Sequence, residues 1–332
     1  RAFNNVNIFC IYFNNALSLK NGFYKPILFT MKKVLLILLL VVGISGIQIN
    51  VLAQDADTAW KSKYEASLGF SQTSFTNWSA GGENALAING MLNIYKMYAK
   101  GKVFWTNYLG LAYGLNMQQT APKIRKTNDK INFLTKGGIN AWHNWDYAGL
   151  FEFKSQFNEG FNYPNDSVRI SNFMAPGYFQ LSIGLNYKPV SYFAVFISPV
   201  GARLTVVNDP VLTNTKDQNG NLIGAFGVIG DNSTLWQVGG SVNAVFKKDI
   251  MKNVNLMSKL DLFSDYRHNP QNIVVGWENN ILMKVNKYLS MNISTMLIYD
   301  EKAITKEPPE NFLDIIQFRE TFGVGFAYTL YH

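Results

Sequence analysis

Apolar and polar residues alternate through most of the chain beyond residue 63. Between Phe179 and Tyr187, every second residue is apolar and those in between are polar or glycine. The same alternation occurs in 86–94, 147–158, 236–246, 289–297 and 321–330. Because side chains of a β-strand point alternately to opposite faces, this pattern predicts strands with one apolar and one polar face.

About twelve such strands are predicted, within a range of about ten to fourteen, because two segments fit the pattern poorly. The segment 130–142 carries Lys136 between mixed neighbours, and 192–206 is apolar on both faces before Arg203. The predicted strands are 63–75, 84–97, 102–117, 130–142, 146–159, 177–188, 192–206, 233–246, 253–265, 273–284, 288–300 and 315–331.

The breaks between these segments separate a membrane barrel from a soluble sandwich, which would show the same alternation. Short breaks such as 143–145 and 189–191 alternate with mostly long ones such as 160–176 and 207–232. Short turns at one rim and long loops at the other are typical of outer-membrane barrels. The pattern therefore predicts an all-β, transmembrane, antiparallel, up-and-down β-barrel.

Aromatic residues at the strand ends favour the same fold, because a ring with a polar tip is stabilised at a membrane surface. Those beside short breaks include Tyr95, Tyr98, Trp105, Trp142, Trp145, Tyr147, Tyr187, Tyr192 and Tyr288, and those beside long breaks include Trp78, Tyr113, Trp236, Trp277 and Tyr299. The last segment, from Thr321 to Tyr328, is similar to the C-terminal signal of outer-membrane barrels. It implies the barrel-assembly machinery as a partner, beside outer-membrane lipid.

The composition fits this fold. The chain of 332 residues is 48% hydrophobic and only 16% charged, against about 25% charged in an ordinary soluble domain. After residue 53 no apolar run approaches the about 18 residues of a transmembrane helix, which excludes a helical membrane bundle.

A secretory leader is predicted at 31–53. Met31, Lys32 and Lys33 precede an apolar run, and Val51–Ala53 offers a cleavage site after Ala53. The barrel domain would then be 54–332, with 1–30 an upstream extension that we do not expect in the secreted precursor; a membrane-anchoring extension is the alternative.

Removing the leader also changes the charge. It takes away five basic residues and no acidic one, so the formal net charge falls from +8 to +3 and no nucleic-acid partner is predicted. The single cysteine, Cys10, is lost as well. We therefore expect neither disulfides nor a lipoprotein anchor.

A resemblance to a known family rests on a few short elements. The segment Gln72–Asn84, together with Ser198-Pro199, Thr205–Asp209 and Gly224–Val228, resembles an uncharacterised family of outer-membrane proteins from Bacteroidetes-type bacteria, domain of unknown function DUF3078. The resemblance covers nearly the whole mature chain and implies the barrel and its compartment, but no activity. Its most distinctive element is a loop motif to which we assign a structural role: Asn77, Trp78, Gly81, Gly82 and Asn84.

The polar face of the strands supplies the candidate functional residues. It carries amides and charges of both signs, which would either pair across the lumen and plug it or line a path and set its selectivity. The lumen-facing candidates are Glu152, Lys154, Gln156, Lys259, Asp261, Glu278 and Arg319.

No catalytic, metal or cofactor site is predicted. His268 lies near Asp265 and Arg267 in a short loop, but no serine elbow, phosphate loop or zinc spacing accompanies it. Asp209, Asp217 and Asp231 share one long loop without the spacing that calcium prefers.

Three functions follow in order of preference. The first is an outer-membrane barrel, expected to be monomeric and not an enzyme, with a narrow channel for small polar solutes. The second is a structural or surface-interaction protein acting through the loops 118–129, 160–176, 207–232 and 301–314. The third is a membrane-embedded hydrolase using His268.

Overall fold

A computed structural model describes residues 59–73, 85–118, 124–163, 165, 167–217, 219–286, 289–301 and 316–331. They contain fourteen strands and one short helix. The strands are β1 (Trp60–Thr73), β2 (Ala85–Lys100), β3 (Val103–Gln118), β4 (Arg125–Trp142), β5 (Trp145–Ser155), β6 (Gly160–Phe161), β7 (Arg169–Ser171), β8 (Gly177–Val190), β9 (Phe193–Val206), β10 (Thr234–Met251), β11 (Val254–Asp265), β12 (Val274–Lys284), β13 (Leu289–Tyr299) and β14 (Ile316–Tyr331); the helix α1 is Pro210–Thr213.

Twelve of these strands form one closed antiparallel barrel in chain order. The strands β6 and β7 stand apart as a small sheet, so β5 pairs directly with β8. Strand β14 closes the ring against β1, with Gly325 opposite Gly69. The all-β, up-and-down barrel of about twelve strands is thus confirmed. The small sheet and α1 were not predicted.

Three of the short turns are tight because each contains a residue in the left-handed region of the Ramachandran plot. Gly101 has φ +60° between β2 and β3, His143 has φ 45° between β4 and β5, and Asn253 has φ 66° between β10 and β11. Tight hairpins of this kind require positive φ, which glycine and asparagine tolerate best. Strands run closer to these turns than predicted, since β2 extends to Lys100 and β10 to Met251.

The barrel is apolar outside and polar inside. Leu181 and Trp236 face outward with 56% and 59% of their surface exposed, whereas Glu152 and Asn186 face inward at 3% and 0%. A soluble protein buries its apolar side chains instead. A surrounding hydrocarbon phase would stabilise this inverted polarity, because buried charges such as that of Glu152 are kept away from lipid.

A bulge in β9 explains why this segment fitted the alternation poorly. Pro199 has no backbone N–H to donate, and the pairing with β8 and β10 shifts beside it, at Gly184 and Gly240. The residues buried inside the barrel are accordingly even-numbered up to Ser198, whereas after the bulge Gly201 and Thr205 are buried. An alternation counted through the bulge therefore mixes the two faces.

The aromatic belt at the short-turn rim is present, with one correction. Trp145 stacks near Tyr187 at 4.6 Å and near Trp142 at 6.4 Å, and Trp60 lies 5.1 Å from Tyr98. Tyr95 does not belong to this belt.

Tyr95 shares the inward side of β2 with Asn93, which accepts a hydrogen bond from Tyr108. Its ring lies 5.0 Å from that of Tyr108 and below the ammonium groups of Lys63 and Lys247. The prediction was wrong because the belt was assigned from distance to the turn without applying the alternation.

Several predicted features lie outside the described residues, namely the leader 1–53 and the loop motif of Asn77, Trp78, Gly81, Gly82 and Asn84. No helix in the described part of the chain is both long enough and apolar enough to cross a membrane.

Candidate functional site

Four charged side chains meet across the lumen at mid-height; we call them the charge quartet. Lys154 lies 2.8 Å from Glu152 and 3.3 Å from Asp261, and Lys259 lies 3.0 Å from Glu152 and 3.1 Å from Asp261. Glu152 and Lys154 belong to β5 and the other two to β11, four places away around the ring. Each lysine thus bridges two carboxylates, and the group is electrically neutral.

Further contacts cross the lumen on the long-loop side of the quartet. Lys130 on β4 pairs at 2.9 Å with Glu278 on β12, the strand on the opposite side of the barrel. Arg203 lies 3.5 Å from Asp300, and its guanidinium covers the ring of Tyr178 at 4.6 Å. These pairs hold opposite walls together and narrow the passage.

A cavity of about 490 Å³ lies between the quartet and the long loops. It is lined by the strand ends at the long-loop rim and by residues from the loops themselves, including Pro176 and Phe226. The structure places all seven lumen-facing candidates around it: Glu152, Lys154, Gln156, Lys259, Asp261, Glu278 and Arg319.

The short-turn half of the lumen contains an apolar cluster that the sequence analysis missed. Phe104, Ala148, Leu150 and Phe196 are buried together, with Leu134 packed against them. They share the inward side of their strands with polar residues, so single apolar residues had to be recognised on a mostly polar face. The alternation gave no signal that these strands would bring them to one place.

Charges surround this apolar cluster. The Lys188 ammonium lies 3.9 Å from the Phe104 ring centre and 3.2 Å from Asp146, and the Lys136 ammonium donates to Asn186 at 2.9 Å. Lys136, which fitted the alternation of 130–142 poorly, therefore faces the lumen and has the buried Asn186 as its partner.

Two long loops fold onto each other beside the mouth of the barrel and form what we call the loop core. Ala175 comes from the loop between β5 and β8, and Val207, Leu212, Ala225 and Val228 from the segment between β9 and β10; all five are buried together. Phe226 packs against them and also lines the cavity. The elements Thr205–Asp209 and Gly224–Val228, singled out in the sequence, thus build this core.

Asp209 joins the two loops. Its carboxylate accepts hydrogen bonds from Arg169 at 2.8 Å and Asn172 at 3.1 Å, and it caps α1 by accepting the Val211 N–H at 3.0 Å. Burial alone would raise the pKa of Asp209, but these hydrogen bonds outweigh it and hold the pKa below its ordinary value. The folded loop core therefore favours the ionised carboxylate.

Asp209→Asn should loosen the loop core by about 1–2 kcal/mol, the usual cost of a lost cap or charged hydrogen bond. Because the pKa of Asp209 is lowered on folding, its contribution should be complete above the unfolded value of about 4 and disappear as the pH falls through the folded pKa. Limited proteolysis of the two loops at a series of pH values measures this contribution of Asp209. Asp231→Asn, at an exposed position of the same segment, is the matched control; equal cleavage of the two variants at pH 7 would contradict the role of Asp209.

His268, the histidine considered for catalysis, is exposed, and its Nδ1 lies 3.4 Å from the Asp265 carboxylate. Asp265 also accepts a hydrogen bond from Gln237 at 3.0 Å, so its carboxylate links two neighbouring strands of the barrel wall. Among the residues that the structure describes, no three His, Cys, Asp or Glu side chains come together as a possible metal site.

The fold and lumen define a closed twelve-stranded barrel with an apolar exterior and a charged interior. The sequence profile of a family described as "Protein of unknown function (DUF3078)" matches residues 70–161, which confirms the resemblance in the first part of the barrel. Nearly the whole mature chain was expected to match; Ser198-Pro199 and the loop-core elements lie outside the matched segment. The Bacteroidetes-type origin stays a prediction. No curated protein matches the sequence.

Solved barrels similar to this chain share little sequence with it. The translocator domain of the autotransporter NalP from Neisseria meningitidis is 11% identical, with a TM-score of 0.35, over 83% of this chain and 90% of that one. The COG4313 outer membrane channel from Pseudomonas putida F1 is 8% identical, with a TM-score of 0.34, over 82% and 94%. Outer membrane phospholipase A from Escherichia coli is 11% identical, with a TM-score of 0.33, over 80% and 92%.

Proposed function

We propose that this protein is a non-enzymatic outer-membrane barrel that forms a narrow channel for small polar solutes. The observation that carries the proposal is the lumen: a cavity at the long-loop mouth, with charged side chains in its wall, leads to a neutral charge quartet. The exposed apolar wall and the aromatic belt support insertion in a lipid bilayer, where we propose that the barrel is a monomer. Barrels with twelve strands lie between those filled by side chains and the wide porins.

The quartet acts in this proposal as the constriction. Because its charges cancel, the quartet would favour neither cations nor anions, and neutral and zwitterionic solutes would meet no net charge at the constriction. The apolar cluster beneath the quartet narrows the path further.

Lys154→Glu should make the channel several-fold more selective for potassium over chloride in planar-bilayer recordings. The substitution leaves three carboxylates and one lysine at the constriction, and a ring of carboxylates favours cations. Lys216→Glu makes the same charge change on an exposed loop and should leave the selectivity unchanged. Folded protein that gives no conductance steps would refute the channel.

A second candidate function is supported by the loop core. Its buried residues give the loops 160–176 and 207–232 a fixed shape, as a binding surface requires. Deletion of these loops should then abolish binding of a surface partner without unfolding the barrel. The assembly machinery remains the partner proposed for the C-terminal strand β14, and no nucleic acid is proposed.

A further inference from the structure

The cavity at the mouth contains hydrogen-bond acceptors without partners. The side-chain oxygens of Asn132 and Asn243 are buried and unpaired within the described part of the chain, and these residues are only 2% and 8% exposed. The Asn243 amide nitrogen donates to Asp261 at 2.7 Å, which leaves its oxygen as the free atom. A buried acceptor without a donor is energetically unfavourable, so a molecule in the cavity that donates to both oxygens would be stabilised there.

One cation of the cavity also differs from the others. Lys130, Lys154, Lys259 and Arg203 each have a carboxylate within salt-bridge distance. For Arg319, the partners among the described residues are neutral: the Asn128 side-chain oxygen at 3.2 Å and the Met296 sulfur at 3.8 Å. Its guanidinium is therefore ready to bind a carboxylate in bidentate fashion.

The unpaired amide oxygens and the Arg319 guanidinium lie at different heights in the barrel. Arg319 reaches Asn128 near the start of β4, while Asn132 lies four residues further along that strand, or about 13 Å at 3.3 Å per residue. For strands tilted by about 40°, this corresponds to about 10 Å of height. Asn132 pairs in register with Lys154, and Asn243 with Asp261, so both amides lie at the level of the quartet.

We propose that this cavity binds short peptides of about three residues with free termini. The C-terminal carboxylate binds Arg319 at the mouth, and the N-terminal ammonium and first N–H donate to Asn132 and Asn243 at the quartet. An extended chain of three residues spans about 10 Å, which matches the depth. The proposal deepens the channel function by naming its solute class and rests on it in treating the mouth as open to solutes.

Calorimetric titration of the purified barrel in detergent tests the site with tri-L-alanine as the probe. Tri-L-alanine should bind, and both its C-terminal amide and the Arg319→Gln variant should weaken binding at least tenfold. Because both changes remove the same contact, the amide should be insensitive to Arg319→Gln. Arg267→Gln removes a rim arginine that does not line the cavity and should leave binding unchanged.

The other terminus has its own test. N-acetylation of the peptide and Asn243→Ala should each weaken binding several-fold, with equal thermal unfolding of variant and parent showing that the barrel is intact. No heat with millimolar tri-L-alanine, equal binding of maltose, or unchanged affinity in Arg319→Gln would overturn the proposal. Ion conductance without peptide binding would refute the peptide site alone. Peptide binding by a barrel that gives no conductance steps would refute the channel but not the peptide site.

Discussion

Replacing Lys259 by methionine should destabilise the folded barrel by about 3–5 kcal/mol, the range measured when one partner of a buried ion pair is removed. Lys259 lies within 3.1 Å of both Glu152 and Asp261. Without it, two carboxylates share only Lys154, and the buried Glu152 loses the cation on one side. Equilibrium unfolding in urea, in the presence of lipid vesicles, measures the loss.

Two further variants make this result specific to the quartet. Lys284→Met alters an exposed lysine at the end of β12 and should change the free energy of unfolding by less than about 0.5 kcal/mol. Adding Glu152→Gln to Lys259→Met removes the uncompensated charge and should recover part of the stability, which a double-mutant cycle would show as coupling. Equal effects of Lys259→Met and Lys284→Met would mean that the quartet contributes nothing.

Leu181→Arg should cost about 2–4 kcal/mol when the barrel is folded into a bilayer, the range found for a cation on the lipid face near the midplane. Leu181 follows Gln180, which pairs with Glu152 of the quartet, and it points outward between Phe151 and Ala202 on the neighbouring strands. In a bilayer, its exposed side chain meets hydrocarbon, where a guanidinium has no hydrogen-bond partner.

Val211→Arg is the matched control, because Val211 is similarly exposed but lies on α1, at the surface of the long loops. Water surrounds that position in the proposed orientation, so the substitution should change the free energy of unfolding by less than about 0.5 kcal/mol. If both arginines had the same effect in vesicles, the outer surface around Leu181 would not face lipid, and the membrane placement would be wrong.

The strands were predictable because each carries its own signal. Alternation in a segment such as 179–187 depends only on which face meets water and which meets an apolar surrounding. The alternation was misleading in β9, where a bulge inserts an extra residue into the strand. Pro199 cannot donate to a neighbouring strand, and the resulting bulge exchanges the two faces of β9 partway along.

The candidate site was predictable in its residues but not in its contacts. The parity that points Lys154 inward follows from its own strand, whereas its contact with Asp261 joins residues 107 positions apart. The loop core is a similar case, since the sequence placed Asp209 in a single long loop, whereas in the structure it joins two loops through Arg169 and Asn172.

The sequence by itself determined the fold class, the approximate number of barrel strands, the position of the short turns, and the charged residues of the polar face. These features follow from local alternation and turn chemistry. Only the tertiary structure decided which charges meet across the lumen, where Phe196 and Leu150 fill it, and which acceptors remain unpaired beside the charge quartet. Such contacts depend on the registers of strands far apart in the chain, and the closing of the ring between β1 and β14 brings opposite walls within reach of each other.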